Sequence, residues 1–80
     1  MNEEFLNKVY NQIISETRII DNKIHAPFLP SLPFYSFISL FSFFVFHCKD
    51  VYSLNKEETY YVWEKYKKGL TTLINDKELV

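Results

Sequence analysis

The sequence predicts an all-α fold: a small three-helix domain with a proline-rich first connection. Three observations predict it. Glycine occurs once in 80 residues, and tight hairpins usually recruit glycine for positive φ, so a sheet-rich fold is disfavoured. Two stretches toward the ends of the chain repeat apolar residues at i, i+3, i+4 spacing. Between them lies "PFYSFISLFSFFVF" (33–46), which holds seven Phe or Tyr residues and no charge.

The first helix is expected over 2–25. Phe5, Leu6, Val9, Tyr10, Ile13, Ile14, Ile20 and Ile24 form one apolar stripe, with Ile19 extending it sideways. Asn2 suits the N-cap, and Glu3 and Glu4 suit the positive end of the helix dipole. Pro27 is expected to stop the helix, because its ring disfavours helical geometry at Ala26.

"PFLPSLP" (27–33) places a proline at every third position, the period of polyproline II. An SH3-type ligand would carry a flanking Arg or Lys, and none lies between Lys23 and Lys49. A stiff connector between helices is the expectation, with Pro33 fit to be the first residue of the next helix.

The second helix is expected over 33–48. A helix gathers Ser36, Ser39 and Ser42 in one arc, whereas a strand would split them between faces. The Phe and Val content pulls toward strand, but the lack of turn residues favours helix. "KDVYSL" (49–54) is a polar break. The third helix, expected over 55–75, can be capped by Ser53 or by Asn55, and Asn55 with Glu58 resembles a capping box. Its stripe is Val62, Trp63, Tyr66, Leu70, Leu73 and Ile74. Gly69 costs about 1 kcal/mol in a helix interior, so it should cap a segment, bend the helix or allow a close crossing. The last residues, "NDKELV", are expected to fray.

Composition bounds function. Nine Lys and Arg against ten Asp and Glu give a net charge of −1 and a pI near 6.1. A nucleic-acid binder needs basic excess to neutralise phosphates, so nucleic acid is not expected as a partner. The lone Cys48 cannot form an internal disulfide. The opening Met1-Asn2-Glu3-Glu4 lacks the basic and apolar regions of a secretory signal, and a cytoplasmic location is expected, with a membrane as the alternative.

No catalytic constellation stands out. His47 and Cys48 are sequence neighbours, which point about 100° apart on a helix and do not form a dyad by default. His25, His47, Cys48 and Asp50 lack the ligand spacing of zinc sites. No glycine-rich phosphate loop exists, and Glu3-Glu4 and Glu57-Glu58 are explained by helix starts. "YYVWEKYKKG" mixes aromatics with lysines as single-strand nucleic-acid grooves do, but Trp63 and Tyr66 fall on the core stripe. Lys65 and Lys68 are expected to point outward and pair with Glu64 or Glu58. The chain is therefore expected to be no enzyme and to need no cofactor or metal.

The aromatic helix carries the functional expectation. Two neighbouring helices cannot cover it all round. Fully burying one Phe- or Leu-sized side chain is worth about 1.5–3 kcal/mol. Leaving three or four wet would cost of order 5–10 kcal/mol, comparable to a small domain's whole stability. A further cover is implied: a protein partner or further copies of the chain. The chain reads as a small interaction protein, a regulator, inhibitor or assembly subunit. Phe37, Phe41, Phe44, Tyr60 and Tyr61 are the expected partner-binding residues. The alternative is a single-span membrane protein anchored through 28–48, a stretch free of Asp, Glu, Lys and Arg. A helix over 33–48 would reach only about 24 Å, short of a hydrocarbon core of about 30 Å.

Overall fold

The computed structural model runs α1 (Glu3–Ser15), β1 (Arg18–Ile20), β2 (Lys23–His25), α2 (Phe37–Tyr52) and α3 (Lys56–Glu78). It describes residues 2–21, 23–29 and 37–78, the side chains of 37–39 and 76–78 excepted. The fold is mostly helical, with three helices among the described residues, but it is not all-α: β1 and β2 form a two-stranded antiparallel sheet.

Helix α1 starts as expected. Asn2 Oδ1 accepts from the Phe5 N–H at 3.1 Å, and Glu3 and Glu4 occupy the first turn. Leu6, Val9 and Ile13 are its buried stripe. The helix expected over 2–25 ends at Ser15, however, and Pro27 has no part in stopping it. The stop is made by polar side chains. The Ser15 hydroxyl donates to the Gln12 carbonyl at 2.8 Å, and the Thr17 hydroxyl to that of Ile13 at 2.9 Å. Arg18 Nη1 donates to the Ser15 carbonyl at 2.9 Å. The Glu16 and Thr17 N–H groups bond Ile13 and Ile14 at 3.2 and 3.1 Å. Carbonyls of the last turn, which have no intrahelical partner, are thus satisfied without glycine or proline.

After this stop the chain makes the hairpin, in the register Arg18↔His25, Ile19↔Ile24 and Ile20↔Lys23. Ile19 and Ile24 are half-buried, while Ile20 is half exposed. Residues that share a stripe at helical spacing therefore part company at strand spacing. Positive φ at the reversal is supplied by Asp21 (φ 53°), one of the non-glycine residues that tolerate it. Pro27 lies in a turn closed by the Leu29 N–H on the Ala26 carbonyl at 3.1 Å. Residues 30–36, which include Pro30 and Pro33, lie outside the described residues. The polyproline reading of 27–33 falls mostly on them.

Helix α2 extends past the expected end at residue 48, to Tyr52. Ser53 then turns left-handed (φ 55°). Its N–H bonds the Lys49 carbonyl at 3.2 Å, and that of Leu54 bonds Cys48 at 3.1 Å. The capping box is formed: the Glu58 N–H donates to Asn55 Oδ1 at 2.8 Å, and the Asn55 N–H to Glu58 Oε1 at 2.9 Å. Helix α3 continues to Glu78, and it is α3, not the more apolar α2, that contacts α1, α2 and β1. Thr59, Val62, Trp63, Tyr66 and Leu70 are buried along it. Gly69 marks a close crossing. A Cβ there would overlap the Tyr10 hydroxyl and stand 3.2 Å from Ile14 Cδ1.

Candidate functional site

The faces of α2 divide by helical geometry. Leu40, Phe44 and Cys48, four residues apart, are buried in the core, as one stripe of a helix should be. Phe41 and Val45 form one half-buried flank, and Phe43 and His47 the other. Ser42 and Phe46 face outward. Phe46 is 71% exposed, and it and Val51 are the exposed large apolar side chains of this helix among the described residues. Among its described side chains, the aromatic helix is thus covered better than its composition suggests. Part of the cover is Phe28, from the turn after the hairpin. Its ring lies 5.6 Å from that of Phe44 at 90°, 5.6 Å from His47 and 5.8 Å from Tyr66.

The expected partner-binding residues do not share one surface. Phe44 is fully buried, tilted against Trp63 at 5.1 Å and Tyr66 at 5.0 Å, so it offers nothing to a partner. Phe37 belongs to the first turn of α2, and its side chain lies outside the described residues. Phe41 and Tyr60 come together: their rings stack at 5.5 Å and 29°, Tyr60 is 45% exposed, and Trp63 underlies Phe41 at 5.0 Å. Tyr61 sits elsewhere on α3. The Lys65 ammonium lies 5.5 Å from its ring centroid and 5.7 Å from that of Tyr10 on α1, and it donates to Asn7 Oδ1. Lys65 therefore ties α3 to α1 instead of pairing with an acidic neighbour. Lys67 makes the local ion pair, with Glu64 at 3.0 Å.

Beside the Phe41–Tyr60 stack a groove of about 500 Å³ opens where α2 turns into α3. Val45 and Leu54 line it with the two rings, and Lys49 and Lys56 border it. Sequence reasoning missed this groove. The signal was the polar break itself, since Leu54 is an apolar residue flanked by Lys49 and Lys56, which the end of α2 and the start of α3 bring to one corner.

The candidate chemical groups are held apart. Cys48 is buried in the core, and burial pushes its thiol up to about 12, which leaves almost no nucleophilic thiolate. His47 packs against Phe28 and, at 5.8 Å, Tyr52. Burial lowers its pKa, and Glu16 and Asp50 oppose that shift. His25 is exposed on the hairpin. Among the described residues no three His, Cys, Asp or Glu side chains converge on a point that could hold a metal ion. Among them, too, no helix is long and apolar enough to cross a membrane. Comparison with known proteins gives no match: no protein family, curated protein or solved structure is significantly similar to this chain.

Proposed function

We propose that this chain is a small non-enzymatic helical interaction protein, a regulator, inhibitor or assembly subunit, that docks through the corner between α2 and α3. The carrying observation is the Phe41–Tyr60 stack, an aromatic pair held partly exposed where α2 packs on α3. Aromatic anchors of this kind are enriched among the residues that dominate binding energy. The stack rests on the buried Trp63, so little side-chain freedom is lost when a partner covers it. The partner is a protein or a second copy of the chain.

Charge placed on the stack tests this. Tyr60→Glu keeps the core intact, because Tyr60 is among the exposed large side chains. Mass by light scattering after size exclusion, together with affinity capture and cross-linking, would be compared for wild type, Tyr60→Glu and the remote control Lys8→Ala. A self-associated or captured species should survive in the control and vanish in Tyr60→Glu. Identical assembly and capture by all three proteins would overturn the reading.

A further inference from the structure

The groove beside the stack has a chemistry of its own. Its walls are Phe41, Val45, Leu54 and Tyr60, a mostly apolar surface, and its volume of about 500 Å³ falls in the range of about 300–1,000 Å³ typical of small-molecule sites. Its neutral polar side chains, Asn55 and Thr59, each make one hydrogen bond at the start of α3. Asn55 Oδ1 accepts from the Glu58 N–H at 2.8 Å, and the Thr59 hydroxyl donates to the Asn55 carbonyl at 2.8 Å. The charged residues lining it are Lys49 and Lys56, with no carboxylate between them. Neither makes an ion pair among the described residues, where the pairing recorded is Lys67 with Glu64.

The geometry points to a binding site for a free fatty acid in this groove, its acyl chain against Phe41, Val45 and Leu54 and its carboxylate between Lys49 and Lys56. An apolar trough favours a hydrocarbon chain by the area it removes from water. Two lysines at the border, neither ion-paired among the described residues, favour an anion over an alcohol or a cation. The proposal goes beyond docking at the stack, and Val45 separates the two, because filling the trough at Val45 leaves the Phe41–Tyr60 edge in place.

The chain holds its own reporter. Trp63 is the single tryptophan, and its ring lies 5.0 Å from Phe41 in the groove wall. Trp63 emission and titration calorimetry would follow dodecanoate, dodecanol and dodecyltrimethylammonium, each below its micelle concentration. They would be applied to wild type, Lys49→Gln/Lys56→Gln and Val45→Phe. Thermal melts followed by circular dichroism would establish that each variant is folded. Saturable one-site binding of dodecanoate is expected. It should weaken about tenfold or more in the double lysine variant, the scale of one lost charge-assisted contact, and also in Val45→Phe. Dodecanol should bind more weakly than dodecanoate and be indifferent to the lysines. The site is refuted by an absence of saturable dodecanoate binding, by dodecanol or the cation binding as tightly, or by unchanged binding in folded Val45→Phe.

Discussion

Tyr66 shows how one polar atom can govern a small core. The residue is fully buried, with its hydroxyl 3.1 Å from that of Thr17. The Thr17 proton is committed to the Ile13 carbonyl at 2.9 Å, so Tyr66 is the donor of the pair. Burial pushes the Tyr66 phenol up to about 12, against the lowering effect of this bond. Removing the acceptor strands a buried donor, which costs about 1–3 kcal/mol, whereas removing the donor loses only a net bond of about 0.5–1.5 kcal/mol. Thr17→Val should therefore destabilise more than Tyr66→Phe, and the double variant less than the sum of the two. Urea unfolding of the four proteins measures this, and strict additivity would mean that the bond contributes nothing. Tyr66 was legible as core from its place on the α3 stripe. Thr17 was not, because a threonine past a helix end gives no periodic signal.

At the scale of elements, local chemistry decided where helices stop and how closely they approach. The caps were readable, since Asn2 and the Asn55–Glu58 box each pair a short polar side chain with a fixed spacing. The hairpin was not. Ile20 and Ile24 fit a helical stripe as well as they fit two strands, and the scarcity of glycine argued against a reversal. The reversal needed no glycine, because Asp21 accepts positive φ, as Ser53 does after α2. The real glycine serves the crossing of α1 and α3. Gly69→Ala should gain about 1 kcal/mol of helix propensity and lose about 1–3 kcal/mol to overpacking against Tyr10. A net loss is expected in the wild-type background. Tyr10→Phe removes the atom that the new Cβ would meet first, leaving the contacts with Ile14 Cδ1 at 3.2 Å and the ring Cζ at 3.3 Å, so Gly69→Ala should cost less there. Denaturant midpoints of the two single variants and the double variant decide it; a loss of the same size in both backgrounds would show that the Tyr10 hydroxyl is not the cause.

Over the whole molecule, the early stop of α1 and part of the cover over α2 have one origin. A first helix running to residue 25 would carry Phe28 away from the core. Stopping at Ser15 turns the chain back and lays Phe28 over Phe44, His47 and Tyr66. The cover that the sequence seemed to demand from a partner is thus supplied in part from within, and α3 rather than α2 is the shared wall. Among the described residues, the apolar side chains left exposed on α2 and α3 are Phe46, Val51 and Tyr60, and of these Tyr60 is the one stacked on Phe41. The same folding back makes stability depend on pH. His47 is faced by the Phe28 and Tyr52 rings, and the charges near it are Glu16 and Asp50. Burial outweighs those two carboxylates and holds its pKa below the ordinary 6.5. The unfolded chain therefore takes up the proton more readily than the folded one, so the contribution is full above pH 6.5 and is lost as pH falls through the folded value. Wild type should lose more stability between pH 7.5 and 5.5 than His47→Gln does, as read from urea midpoints at the two values. If both proteins lost the same amount, the histidine would not be desolvated in the folded state, and the packing of the Phe28 and Tyr52 rings on it would not hold its pKa down.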